Sequence, residues 1–176
     1  MIVCRKNINI ITCNGEQNCL FSGKTYQYSM KTSIDCELLY ADHTVRRAKG
    51  GTGLHNHSYW QLEIVTSGTI GLRTDEFAGA LETGDAVLLP TGTAHQFRYD
   101  ARRKSWVTLK FRADNVRAEA APLLLGSTRD HILVEALTAL VRSGNRRTRK
   151  LRFAVEEVLA ALLAQHYWED DPEHTH

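Results

Sequence analysis

Several features that would each assign a class are missing from this chain. No uninterrupted apolar stretch approaches the roughly 20 residues that span a bilayer. The opening Met1-Ile2-Val3-Cys4 is followed at once by Arg5 and Lys6, the reverse of a secretory leader, which runs from a basic start into an apolar segment. The four cysteines, Cys4, Cys13, Cys19 and Cys36, contain no CxxC pair, which excludes a zinc knuckle. Charge of one sign is also missing. Lys and Arg number 22 against 20 for Asp and Glu, and the net charge of +2 argues neither for nor against nucleic acid. No domain-scale linker interrupts the 176 residues. The expectation is a domain of ordinary size with a real core, cytoplasmic, without a membrane partner, its thiols reduced and serving as small apolar side chains.

What is present is regular punctuation. Residues 2–48 hold short runs rich in Ile, Val, Tyr and Thr, broken at Asn14-Gly15 and Ser22-Gly23, with 8–10 and 37–40 the best strand candidates. From residue 50, turn signals separate short apolar runs at 59–66, 69–73, 77–81, 86–89, 95–99 and 106–111. Evenly spaced strands of this kind predict a sandwich or barrel rather than βαβ units. After Arg112 the period changes. An irregular crossover over 113–127 contains Pro122, and two helices follow at about 130–143 and 149–168. The first stripes Ile132, Leu133, Ala136, Leu137, Leu140 and Val141; the second stripes Leu151, Val155, Val158, Leu159, Leu162 and Leu163. The second helix is too long and too apolar on its inner stripe for a DNA-reading helix-turn-helix. Packing on the barrel or a dimer interface fits better. The basic clusters Arg46-Arg47, Arg102-Arg103-Lys104 and Arg146 to Arg152, and the acidic Glu169-Asp170-Asp171, read as solvated turns, linker and tail.

The chemistry gathers between Leu54 and Tyr99. Side chains alternate along a strand, so His55, His57, Gln61 and Glu63 point to one side if the run is unbroken, and His95 must arrive from another strand. Three neutral imidazoles suit Zn²⁺, Ni²⁺, Mn²⁺ or Fe²⁺, with Gln61 offering a carbonyl oxygen and open positions left for water or ligand. Such an ion would favour an anionic ligand. The other reading is three hydrogen-bonding histidines lining a metal-free mouth. Gln61 and Glu63 are candidates to contact a small ligand, and Tyr59, Trp60, Phe97 and Tyr99 to form an aromatic wall around it, with Trp106 assigned to packing. His43, His131 and His166 are expected at a surface or interface, and His174 and His176 in a tail.

These residues resemble the two-part signature of the cupin superfamily. His55-x-His57, Gln61 after three residues and Gly68 after six more match its first motif, with Gln in the usual Glu position. Gly84, Pro90, Gly92 and His95 match the second, with Tyr99 in place of the closing Asn. The leading glycine of the first motif falls at Lys49, one place before Gly50. The resemblance implies a mainly β fold, the double-stranded β-helix or jelly-roll barrel, over 1–115, with a crossover and two-helix hairpin over 116–176. It is far less specific for activity. The Gln61 departure removes a usual metal ligand and weighs against catalysis.

The surroundings, from Leu54-His55-Asn56-His57 through the run at 84–90 to Trp106-Val107-Thr108-Leu109-Lys110-Phe111, resemble the effector-sensing domain of AraC-type transcription regulators. That resemblance implies a small-molecule effector, homodimerisation through the hairpin, and DNA contact only through a domain not present in this chain. The competing class is a free-standing cupin metalloenzyme, a dioxygenase or isomerase with Glu63 as acid or base, or a metabolite-binding cupin without chemistry.

Overall fold

The computed structural model describes residues 34–117, 119–143 and 148–167, with the backbone of four short strands nearer the start. The chain divides into two units, Met1–Ser33 and Ile34–His176. In the first, β1 (Val3–Lys6) pairs antiparallel with β2 (Asn9–Thr12), and β3 (Asn18–Phe21) with β4 (Lys24–Gln27). The strand expected at 8–10 therefore coincides with β2 at Asn9 and Ile10, while Ile8 lies outside the described residues.

The second unit runs β5 (Asp35–Arg46), β6 (Gly50–Gly51), β7 (Trp60–Ser67), β8 (Ile70–Thr74), β9 (Ala78–Leu81), β10 (Ala86–Leu89), β11 (His95–Tyr99), β12 (Lys104–Asp114), β13 (Leu123–Leu125), α1 (Thr128–Arg142) and α2 (Arg149–Tyr167). The strands form two antiparallel sheets, ordered β13-β10-β7-β12-β5 and β6-β11-β8-β9. The first sheet separates two cores. On its inner face Val65, Val87, Leu89 and Trp106 meet Ile70, Leu72, Leu81 and Phe97 of the other sheet, which closes the barrel. On its outer face Trp60, Leu62, Ile64, Leu88, Val107, Leu109 and Phe111 meet Val134, Leu137 and Val141 of α1 and Val155, Leu159, Leu162 and Leu163 of α2. The stripe of α2 is thus used inside the chain. Cys36 packs half-buried against this outer core, where burial pushes its thiol up to about 12, so it stays protonated and acts as the small apolar group expected.

Several expectations are corrected. Ile132, placed on the inner stripe of α1, is 61% exposed, because the buried line runs through Val134, Leu137 and Val141 and Ile132 sits about 200° around the helix from Val134. The strand expected at 37–40 extends over all of β5, whose polar half is held by pairing with β12 along its length. Part of the supposed crossover, Leu123–Leu125, is a strand paired with β10. Lys104, expected in a solvated turn, is wholly buried, its Nζ satisfied by the backbone oxygens of Asp100 and Arg102 and by Asp100 Oδ1 at 2.8 Å. His166 is an intramolecular partner. Ser127 caps α1 and Asp130 completes its capping box; Asp130 Oδ1 also accepts from His166 Nε2 at 2.6 Å and from Gln165 Nε2, tying the start of α1 to the end of α2. Burial alone would raise the Asp130 carboxyl, but the bonds from Ser127 and His166 outweigh it and hold the group below its ordinary value.

Three matched glycines adopt left-handed backbone, among them Gly68 at φ +78° and Gly84 at φ +99°. A Cβ on Gly68 would lie 2.8 Å from the Arg103 carbonyl oxygen and 3.0 Å from Lys104 Cβ, whereas one on Gly84 meets nothing within 4 Å. Gly84→Ala is therefore expected to cost about 1–2 kcal/mol of conformational strain alone. Gly68→Ala should cost distinctly more. Urea unfolding midpoints compare the two, and equal shifts would contradict the tight contact at Gly68.

Candidate functional site

The two motifs meet through their backbones. His55 N–H donates to the His95 carbonyl at 3.1 Å and His95 N–H to the His55 carbonyl at 2.8 Å, an isolated antiparallel bridge. Gly92, left-handed at φ +82°, donates its N–H to the His57 carbonyl at 2.9 Å. These bonds set the rings of His55 and His95 4.4 Å apart, those of His57 and His95 5.0 Å apart and those of His55 and His57 6.1 Å apart. The unbroken extended run assumed for 55–63 does not exist, since residues 56–59 leave the strand and β7 begins at Trp60. His57 nonetheless reaches Gln61, with Nε2 and Oε1 3.1 Å apart, and Gln61 reaches Glu63.

Each imidazole presents Nδ1 to a backbone carbonyl: His55 to Gly53 at 2.9 Å, His57 to Tyr59 at 2.7 Å and His95 to Thr93 at 2.9 Å. A carbonyl only accepts, so Nδ1 carries the hydrogen in all three rings and Nε2 of a neutral ring is a lone pair. Burial lowers the His57 imidazole, and it pushes His95 down to about 4, with His55, His57 and Lys110 adding to the effect. His95 is 0% exposed and its Nε2 has no hydrogen-bond partner. An orphaned buried acceptor of this kind is costly unless something fills the space before it.

The Gln61 amide faces a similar problem. Its Nε2 donates to Glu63 Oε1 at 2.8 Å, which leaves Oε1 facing the lone pair of His57 Nε2, acceptor against acceptor. A cation between them resolves the conflict. So does reversing the amide, provided Glu63 carries a proton to give to Gln61 Oε1. Burial pushes Glu63 up to about 8, against the opposing pull of Thr108, Gln61 and Lys110. At neutral pH the reversed chain then runs from Glu63 O–H through Gln61 and His57 to the Tyr59 carbonyl with every group paired. Thr108 Oγ1, the cross-strand neighbour, bonds Glu63 at 2.8 Å.

A divalent ion suits this donor set in kind. Imidazoles sharing one ion at about 2.0–2.1 Å from nitrogen have ring centres roughly 5 Å apart. Two of the three pairs lie near that spacing and the His55–His57 pair is wider. Among the described residues no group of three or more His, Cys, Asp or Glu side chains is drawn together as a finished metal site. The His95 lone pair has no donor, that of His57 faces the Gln61 amide, and the set closes only if His55 and His57 approach.

The aromatic candidates separate. Tyr59 stacks on His57 at 3.9 Å and belongs to the mouth. Phe97 lies edge-on to His95 at 5.5 Å and is buried in the barrel core. Tyr99 stacks on Trp106 at 5.0 Å with the Arg46 guanidinium 5.3 Å from its ring, and Trp106 packs the barrel as expected. Trp60 is corrected. It lies on the opposite face of β7 from Gln61, buried against Phe111 and Tyr167, because neighbouring strand residues point to opposite sides. Two residues were missed, Thr108 and Lys110. Lys110 pairs with Gln61 across β7 and β12, and its Nζ lies 5.3 Å from the Tyr59 ring centre and 5.7 Å from that of Tyr40. Only the strand register brings them in. His43 bonds Thr66, and exposed His131 lines a groove beside α1.

A family model described as the AraC-like ligand binding domain matches residues 43–166. No curated protein matches the chain. Among solved structures, ToxT from Vibrio cholerae O395 is similar with a TM-score of 0.51 at 10% identity, over 78% of this chain and 56% of that one. A Cupin 2 conserved barrel domain protein from Salinispora arenicola CNS-205 aligns with a TM-score of 0.36 at 18% identity, over 47% of this chain and 78% of that one. YhaK from Escherichia coli aligns with a TM-score of 0.45 at 16% identity, over 54% and 44%. The chain thus spans about half the length of ToxT and of YhaK. At these identities the ToxT likeness speaks for the fold. No helix among the described residues is long and apolar enough to cross a membrane.

The Glu63 environment predicts a pH dependence of stability. Its folded value, about 8, lies above the ordinary 4.5, so the folded chain keeps a proton that the unfolded chain releases. The stabilisation from this proton is full below about pH 4.5 and is lost as pH rises through about 8. Melting temperatures of the parent chain should fall across that window more steeply than those of Glu63→Gln. Parallel profiles would mean Glu63 is ionised in the folded barrel.

Proposed function

Because the chain belongs to the AraC-like ligand-binding domain family, we propose that its barrel mouth binds a small-molecule effector and that its helical hairpin passes the response to an attached DNA-binding unit. The observation that carries this reading is the fully buried His95 Nε2, which has no partner in a mouth ringed by Nε2 lone pairs. A ligand completes those bonds. β7 offers the route outward, since its inner face carries Gln61 and Glu63 while Trp60 on its outer face meets Tyr167 of α2 at 5.3 Å. Such a switch operates only if ligand affinity differs between two arrangements of strand and helices.

In the finer reading, His55, His57, His95 and Gln61 Oε1 hold one divalent transition metal, Zn²⁺, Ni²⁺, Mn²⁺ or Fe²⁺. It would supply a fixed positive charge to polarise or anchor the effector. The chain works in the cytoplasm as a homodimer through outward residues of the hairpin such as Ile132 and Phe153, each 61% exposed. Its DNA contact belongs to another domain. The enzyme reading is the weaker one, because the Glu63 carboxyl is engaged by Gln61 and Thr108 behind the histidines.

Incubation with a metabolite extract should raise the melting temperature of the parent chain by about 5 °C at saturation, and leave the His57→Ala/His95→Ala variant unmoved. Equal shifts in both, or none with any extract, would overturn the pocket. Elemental analysis should find one ion per chain, lost in the same variant; protein that takes up none of the four metals on reloading refutes the metal centre. Sedimentation showing only monomer at high concentration refutes the dimer.

A further inference from the structure

Among the described residues two lysines are buried or half-buried, in quite different circumstances. Lys104 shows how this fold satisfies one that serves structure: three oxygens surround its Nζ. Lys110 has none. Its ammonium lies over the rings of Tyr59 and Tyr40, and among the described residues no carboxylate stands within ion-pair distance of it. The nearest buried acid, Glu63, turns its oxygens to Thr108 and Gln61 instead. Aromatic faces attract a cation but supply no anion and accept no strong hydrogen bond. Beside this charge stand the rings of His57, stacked on Tyr59, and of His95, whose lone pair lacks a donor. Among the described residues the mouth therefore offers a cation without an ion-pair partner and, within reach of its field, the His95 Nε2 lone pair without a donor.

Resting on the reading of this mouth as an effector pocket, with its histidines metal-free, we infer that its ligand is a small hydroxy acid, whose carboxylate pairs with the Lys110 ammonium while an adjacent hydroxyl donates to Nε2 of His95. Each half of that ligand answers a separate deficit. A neutral polyol leaves Lys110 without an anion, and a plain carboxylate leaves the His95 lone pair without a donor. Sites that strand a buried polar group discriminate strongly against the analogue lacking its partner. Lys110 is then the specificity-determining residue for charge, and Tyr40 and Tyr59 flank its ammonium.

The test uses the full chain with isotopically labelled histidine, read by the imidazole NMR signals. The probes are glycolate, lactate and gluconate, their amides, and the plain acids acetate and propionate. At least one hydroxy acid is expected to shift the His95 signal and to bind about tenfold more tightly than its amide. Lys110→Met should weaken it about ten- to hundredfold, and Lys110→Arg, which keeps the charge, should restore most of the loss. Spectral dispersion of the Met variant confirms that it folds. Amides binding as well as acids, an unchanged affinity in Lys110→Met, or no shift by any hydroxy acid overturns the inference. The pocket is judged separately by the extract experiment. A protecting compound that carries no carboxylate sinks the hydroxy acid and leaves the pocket standing.

Discussion

Successive side chains of a strand point to opposite faces, and in β7 both faces are buried from Trp60 to Val65. Gln61 and Glu63 cannot shift without Trp60, Leu62 and Ile64 shifting too. The first pair belongs to the mouth and the second set to the core under the helices. Close-packed interiors respond to such shifts by repacking rather than by gradual deformation. The strand also fixes the registers on either side of it, setting Val87 and Thr108 opposite Glu63 and Leu89 and Lys110 opposite Gln61. The mouth inherits its chemistry from this arrangement, since no residue of it lies near all the others in sequence.

Polar accounting distinguishes the mouth from the rest of the barrel. Away from it, Lys104 is paired inside its turn and Asp130 in its cap with His166. At the mouth His95 Nε2 lacks a partner, Lys110 lies over aromatic rings, and Gln61 Oε1 faces a lone pair unless the amide is reversed. The buried Thr93 Oγ1, two residues before His95, also lacks a partner. The proton on Glu63 belongs to the same balance. Gln61 can point its oxygen inward only when Glu63 has a proton to give.

Much of this was legible from local chemistry. The glycines at 68, 84 and 92 take the left-handed backbone that their turns demand, and the histidines of the two motifs come together. The apolar stripe of α2 is buried at Val155, Leu159, Leu162 and Leu163. The misses share a cause. The parity argument put His57 on the side of Gln61 correctly, although the chain leaves the strand between them, but an aromatic reading without parity placed Trp60 on the wrong face. Charged residues were read as solvated by type, and Lys104 shows how a tight turn overrides type.

The sequence by itself determined the sandwich-or-barrel class, the turn positions, the helical hairpin and the candidate ligating histidines, because each depends on period, spacing or the conformational freedom of single residues, and the motif resemblance narrowed the class to a barrel. Only the tertiary structure decided which lone pairs remain free, that Lys110 and Thr108 stand beside Gln61 and Glu63, and that α2 spends its apolar stripe on the sheet. Those facts depend on strand register and on burial across chain separations of tens of residues. The irregularity between Lys110 and Phe111 shows why they escape a linear reading: Tyr40 pairs with Lys110 but Leu38 with Phe111, so one extra residue in β5 changes which side chains meet.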